Sequence, residues 1–319
     1  MSPGPADAQA PSGLRVLVTG ANGFIGRHVV AQLQAAGHHV RAADRDGSAG
    51  DGVPSVVGDL CEAGVQDEAV TADLDAIVHL AAMTSVLGSV EQPAHVHRTN
   101  VDMTAGLLEL ARQREVGTFV LVSTNAVVGD IGQQTITEDL PLAPLTPYGA
   151  TKAAAEMLVR GYAGSYGICA PIIRLTNVYG PGMGHKDSFV PRLMRAAASG
   201  GTVQIYGDGE QRRDLVHVGD AARAMVLAAQ GWPTGPVIIG GSRSYTVNDL
   251  VQTARDATGL PIATESTPPK PGEMPAVVVD ISRARSRGYE PSISLLDGMR
   301  SAWHDFAPSA ERGSVDAGH

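Results

Sequence analysis

Cysteine, lysine and long apolar runs are all scarce in this chain, and each shortage excludes something. Only two cysteines, Cys61 and Cys169, occur in 319 residues. Neither has a cysteine or histidine at ligand spacing, which argues against a metal site and fits reduced thiols in a cytoplasmic protein. No apolar stretch approaches the roughly 18 residues of a bilayer span, so no membrane segment is expected. Residues 1–12 are small, polar and proline-rich, with no basic n-region or apolar h-region, and are not a secretory signal. They and residues 307–319 read as flexible tails. Positive charge is also in deficit: 24 Lys+Arg against 33 Asp+Glu leave a net charge of −9. A nucleic-acid binder usually carries the opposite field. Lys152, Lys186 and Lys270 are the only lysines, so arginine does most of the cationic work. A lysine kept against that bias marks a place where an amine is wanted.

What remains is ordinary globular composition, 43% hydrophobic and 18% charged. Short apolar strands alternate with helices as far as residue 176. Strands are expected at 14–18, 39–43, 76–80, 118–123 and 170–175, and helices at 25–36, with Gly37 just past its end as a C′ glycine, at 99–114 and at 148–162. That alternation predicts an α/β fold, a Rossmann-type doubly wound parallel sheet, over residues 13–176. Beyond it, turn clusters such as Gly180-Pro181-Gly182 separate a helix near 190–199, a strand at 203–206, a helix at 220–229, a strand at 237–239 and a helix at 247–258. A smaller mixed α/β substrate lobe is expected over 177–306, with some segments returning to the first domain.

The first strand runs into Thr19-Gly20-Ala21-Asn22-Gly23-Phe24-Ile25-Gly26, which opens the first helix. Glycines at this spacing let the backbone turn sharply and approach a pyrophosphate, and a helix N-terminus offers free N–H groups to it. Gly20, Asn22, Gly23, Phe24, Ile25 and Gly26 are therefore candidate cofactor residues. Asp44 closes the second strand, where an acid accepts hydrogen bonds from the adenosine ribose and repels a 2′-phosphate, so NAD is favoured over NADP. Arg45 beside it is the one local feature that suits the phosphate. Asp59 and Leu60 suit the adenine edge.

Tyr148 and Lys152 stand at i and i+4, on one face of a helix. A phenol near pKa 10 is too weak a base at neutral pH, and a nearby ammonium is expected to lower it. Thr124, at the end of a strand, is placed to hydrogen-bond the same substrate oxygen. Thr124, Tyr148 and Lys152 are the candidate catalytic set, moving a proton at a carbinol while a nicotinamide takes the hydride.

With these features in view, the chain resembles the extended short-chain dehydrogenase/reductases, in their nucleotide-sugar epimerase/dehydratase branch. The resemblance runs from about residue 14 to 306. It is carried by TGANGFIG at 19–26, HLAA at 79–82, Asn100 in RTNVD, VSTNAVVG at 122–129, YGATK at 148–152, RLTNVYGPG at 174–182, YGDGEQRRDLVHVGD at 206–220 and PGEMPAVVVDISRAR at 271–285. It implies that Leu80, Ala81, Ala82 and Thr84 line the nicotinamide pocket and that Asn100 and Ser123 support the cofactor side. It further implies that Asn177, Phe189, Tyr206, Arg213 and Lys270, with Thr84, Thr124 and Tyr148, face a nucleotide-sugar substrate, and that the protein is a homodimer.

The departures from the family pattern narrow the chemistry. Family dehydratases carry Asp-Glu after the threonine, and decarboxylases a Glu at the second position; here Asn125 and Ala126 follow Thr124. Val128 stands where a tyrosine is usual, and Lys270 where a late arginine is usual. Val277 falls where some 4-epimerases place a bulky tyrosine, so room for an N-acetylated sugar is expected. Without the carboxylates, reversible oxidation at C4 remains. The expectation is an NAD-dependent 4-epimerase of UDP-hexose or UDP-N-acetylhexosamine type. The alternatives are an NAD(P)H-dependent 4-keto-sugar nucleotide reductase and a non-catalytic dinucleotide sensor.

Overall fold

The computed structural model describes residues 13–50, 52–268 and 276–307. Seven strands form the main sheet: β1 (Arg15–Thr19), β2 (His39–Asp44), β3 (Ser55–Val57), β4 (Ala76–His79), β5 (Thr118–Thr124), β6 (Pro171–Leu175) and β7 (Gly235–Ile239). Their spatial order is β7-β6-β5-β4-β1-β2-β3, and every pairing is parallel. The chain therefore leaves β1 in one direction and returns to β4 in the other, which opens a crevice at the carboxyl ends of these strands.

Both faces of the sheet are buried, which is why its strands read as nearly continuous apolar runs. Val16, Val18, Val78, Val120 and Ile173 point into one core, and Leu17, Ile77, Phe119, Leu121 and Ile172 into the other. Seven helices matter for the site: α1 (Phe24–Ala35), α2 (Met103–Gln113), α3 (Pro147–Tyr166), α4 (Phe189–Ser199), α5 (Val218–Ala229), α6 (Val247–Thr258) and α7 (Leu295–Trp303). α1 packs against α5 on one face, and α2 against α3 on the other. α1 ends at Gly37 with φ +80°, the glycine stop its sequence predicts. α3 starts on Thr146, whose hydroxyl accepts from Gly149 N at 3.1 Å, with Pro147 in its first turn.

The second lobe packs α4, α6 and α7 around Leu193, Met194, Val203, Leu250, Val251, Met299 and Trp303. Its parallel strand pair, Thr202–Tyr206 with Ala263–Thr267, flanks that core. α6 opens with a reciprocal cap between Thr246 and Asp249.

The helix at 220–229 packs on α1 as α5, and the strand at 237–239 is the edge strand β7 of the main sheet; their apolar faces complete the core beside α1 and β6. One element departs from the pattern read in the sequence. The helix expected from 99 to 114 divides: residues Arg98–Asp102 form a π turn before α2 begins. Asn100 sits inside that turn, and its side-chain bonds explain why the wider winding persists. No helix among the described residues is long and apolar enough to cross a membrane.

Candidate active site

A cavity of about 1250 Å³ occupies the crevice between β1 and β4. That exceeds the about 300–1,000 Å³ of most single-ligand pockets. Its floor is the glycine-rich turn. Gly20 has φ +69°, and a Cβ there would lie 2.8 Å from Ala81 N. A Cβ on Gly26 would lie 2.0 Å from Gly20 O. Both glycines are therefore required by close backbone approach. α1 has Gly23 as its N-cap, no side-chain cap and no acid in its first turn, so its end is left open to an anion. Asp44 Oδ2 accepts from Asn22 N at 2.9 Å, which ties the turn to the end of β2. Asn22, Gly23, Phe24, Ile25, Asp44, Arg45, Asp59 and Leu60 all line this end of the cavity. The Asp59 carboxyl is held below its usual range, chiefly by the Cys61 backbone N–H. An uncapped helix end, a glycine cradle and a strand-terminal acid together fit a dinucleotide.

At the other end, Leu80, Ala81, Ala82, Met83, Thr84, Ser123, Thr124, Tyr148, Lys152 and Asn177 form the wall. Thr124 and Leu175 are register partners at the ends of β5 and β6. Burial pushes the Tyr148 phenol above its ordinary value, while a hydrogen bond with Thr124 pulls it down. Lys152 is 4% exposed, and burial pushes its amine down to about 8, with Glu156 pulling it back up. Desolvation is the largest influence at both groups.

That buried charge has a cost with a definite sign. The folded value lies below the unfolded one, near 10.4. The cost is complete below about pH 8, and it disappears as the folded amine loses its proton ahead of the unfolded one. Replacing Lys152 by Met should therefore stabilise the ligand-free protein at pH 7, by on the order of 1–3 kcal/mol. Urea melts would show the gain, and equal or lower stability would refute it.

A buried polar layer holds the wall from behind. Ser123 Oγ donates to Glu156 Oε1 at 2.5 Å. Arg174 donates to both Glu156 oxygens, from Nε at 3.0 Å and from Nη2 at 2.7 Å. His79 bridges Thr19 Oγ1 at 2.8 Å and Thr104 Oγ1 at 3.0 Å, and burial pushes it down to about 3, so it is neutral. Tyr148 N donates to Ser89 Oγ at 3.1 Å, fixing the first turn of α3. Asn100, expected to support the cofactor side, stands behind the lining residues and is engaged by them. Its oxygen accepts from Met83 N at 2.8 Å, and its amide donates to Met83 O and to Thr151 Oγ1, each at 3.0 Å. It locks the wall loop to α3 beside Lys152.

On the substrate side, Thr84, Thr124, Tyr148 and Asn177 share the cavity wall. Phe189, Tyr206 and Arg213 are not among its lining residues; they lie at the start of α4, directly after the lining residue Ser188, and on the strands Thr202–Tyr206 and Arg212–His217, and Lys270 lies outside the described residues. Val277 is buried against the first core. Sequence reasoning missed Glu156 and Arg174. The signal was present for Glu156, which continues the four-residue spacing of Tyr148 and Lys152. It also left His185 and Lys186, both on the wall, without a role. No cluster of metal-ligating side chains occurs among the described residues.

Fold and site together define an NAD-binding enzyme class of doubly wound topology with a Tyr–Lys helix. Residues 16–240 match the model of the NAD dependent epimerase/dehydratase family. The chain belongs to that family, within the extended short-chain dehydrogenase/reductases, and its cofactor is NAD. A putative UDP-glucose 4-epimerase of Methanocaldococcus jannaschii is 31% identical over 89% of this chain and 96% of its own length. A dTDP-glucose 4,6-dehydratase of Streptomyces niveus is 33% identical over 90% of each chain. The Thermus thermophilus UDP-glucose 4-epimerase, solved with NAD, superposes with TM-score 0.83 at 31% identity, covering 95% of this chain and 100% of that one.

Proposed function

We propose that this protein is a nucleotide-sugar 4-epimerase, acting on a UDP-hexose or UDP-N-acetylhexosamine. The observation that carries this reading is the acid-free wall around Thr124 and Tyr148. The acids lining the cavity among the described residues, Asp44, Asp46 and Asp59, all belong to the adenosine end. Glu138 and Glu156, both buried nearby in the fold, are engaged by Ile238 N and by Arg174. A ketone formed beside Thr124 therefore meets no carboxylate to remove a neighbouring C–H proton, and its open route is reduction back to an alcohol.

NAD, when bound, supplies the acceptor and donor of the C4 hydride. The chain's own residues handle the proton. Thr124 holds the sugar O4 by its hydroxyl. Tyr148, as phenolate, takes the O4 proton and later returns it. Lys152 offers its ammonium to the cofactor ribose and stabilises the phenolate once a ligand excludes water. Asn177 is assigned to the substrate phosphate, and Phe189, Tyr206, Arg213 and Lys270 to the nucleotide. The 4-epimerases among the relatives support this assignment, and the dehydratases among them make the missing acids the deciding feature.

The test is to incubate purified protein with UDP-, dTDP- and GDP-sugars and to follow the sugars by NMR. Interconversion of C4 epimers without net change in NADH absorbance is the expected result. Stoichiometric NADPH consumption with a 4-keto sugar would instead identify a reductase. A 4-keto-6-deoxy product would identify a dehydratase. Either outcome refutes the proposal.

A further inference from the structure

A second cavity, of about 270 Å³, opens between the loop that follows β7 and the segment that leads into α7. It shares no lining residue with the catalytic cavity, and its size falls just below that of most drug-sized ligand pockets. Tyr179, at the end of the strand Asn177–Tyr179, forms part of its wall and is 2% exposed. Its ring meets His217 edge-on, with centroids 5.5 Å apart. A Cβ on Gly298 would lie 2.3 Å from its hydroxyl, so α7 gives up a side chain to make room for it. Yet the hydroxyl makes no hydrogen bond with any described residue. Burial first, then Tyr245, Asp220 and Asp297, push the phenol up, so it keeps its proton and can donate. A buried donor without a partner calls for one.

Arg243 is the second unpaired donor on this wall. Its guanidinium lies over the Tyr245 ring, 4.8 Å from the centroid, and forms no ion pair or hydrogen bond with a described residue. Its field reaches Asp249, but that carboxylate is engaged by Thr246 N at 3.0 Å, in the cap of α6. The loop that carries Arg243 is held from three sides. Tyr289 donates to Gly240 O at 3.0 Å, Gly241 N to Asp214 Oδ1 at 2.9 Å, and Ser244 Oγ to Val277 O at 2.9 Å. Ser242, between them, has φ +67°, a conformation that persists in a non-glycine residue only where its surroundings enforce it.

The other buried polar groups of the wall already have partners. Asp220 accepts from Ser292 N at 3.0 Å, Ile293 N at 3.1 Å and Arg223 Nη2 at 2.6 Å, and Arg223 matches its charge. His217 Nδ1 accepts from Gly219 N, and its Nε2 meets Ser301 Oγ, each at 3.1 Å. Burial pushes that imidazole down to about 4, so it is neutral. What remains is a phenol and a guanidinium, both donors, beside the apolar surfaces of Leu215, Pro291 and Ile293.

We propose that this second cavity binds a small organic carboxylate, with its oxygens on Arg243 and the Tyr179 hydroxyl and its apolar body against Leu215 and Ile293. A planar guanidinium offers two parallel N–H groups to a carboxylate, and a phenol adds a third donor. The site is independent of which sugar reaction the catalytic cavity performs.

The experiment titrates the NAD-loaded full chain with benzoate and with benzamide, which has the same shape and no charge, by ligand-observed NMR. Wild type, Tyr179→Phe and Arg243→Gln are compared, and each is melted thermally. Benzoate should bind wild type saturably. Benzamide should bind about tenfold more weakly, and each variant should lose about tenfold in affinity for benzoate. Tyr179→Phe should melt no lower than wild type, because the oxygen it deletes bonds nothing in the fold. Absence of saturable benzoate binding, equal binding of benzamide, or unchanged affinity in either variant overturns the proposal. A Tyr179→Phe melt well below wild type also overturns it, since the hydroxyl would then be spent within the fold.

Discussion

Tyr148→Phe should lower kcat by about 10²–10⁴-fold, the usual worth of a positioned general acid–base group. It should leave NAD content and folding stability nearly unchanged. The substitution deletes one oxygen, whose only described side-chain partner is the Thr124 hydroxyl. The backbone of α3 does not depend on that oxygen. Its first turn is held by Thr146 Oγ1 on Gly149 N and by Ser89 Oγ on Tyr148 N, and both bonds survive. Binding should likewise survive, because the glycine turn and Asp44 lie at the other end of the cavity. Single-turnover rates, bound-nucleotide absorbance and thermal melts separate these effects. A variant that keeps more than a tenth of the wild-type rate would remove Tyr148 from the chemistry. One that loses NAD as well would show that the phenol has a binding role.

Glu156→Gln should destabilise the protein by about 3–5 kcal/mol, among the largest single-residue effects available here. Glu156 and Arg174 are 1% and 2% exposed, so neither charge has water to fall back on. Neutralising the carboxylate leaves a buried guanidinium with a much weaker partner, removes the acceptor charge for Ser123, and takes away a counter-charge that holds up the Lys152 amine. The double replacement Glu156→Leu with Arg174→Met should recover most of the loss, because it removes both desolvation penalties together. Urea unfolding at pH 7 is the measurement. A double variant no more stable than Glu156→Gln would mean that the pair contributes through packing and not through charge.

The parts of this molecule legible in its sequence are those set by local spacing. The glycine turn, Asp44 at the end of β2, and Tyr148 with Lys152 on one helix face follow from chain geometry over a few residues, and all of them line the cavity. The helix stop at Gly37 was readable for the same reason. What escaped depends on contacts made across the fold. Val237-Ile238-Ile239 of β7 is an apolar run that would suit either lobe, and the edge beside β6 gives it a home. The partners of Asn100, Met83 and Thr151, lie far from it in sequence, so no local spacing reveals what its side chain holds. The phenol and the amine are moved by the walls around them more than by each other, and a one-dimensional string carries no walls. Arg174 shows no local pattern linking it to Glu156, since the two meet only when β6 docks beneath α3.

The π turn at Arg98–Asp102 has a consequence for how this cavity tolerates change in chain length. A wider turn holds one residue more than an α-helix fits into the same rise, and each residue of ordinary helix advances about 100° around the axis. Deleting a residue there would let the segment wind normally and swing Asn100 away from Met83 and Thr151. The cavity wall would then come loose from the helix that bears Tyr148, although a deletion at Val101 or Asp102 touches no residue that lines the cavity. The surplus residue works as a shim: removing it leaves every catalytic group in the chain and takes away the clamp that aligns them.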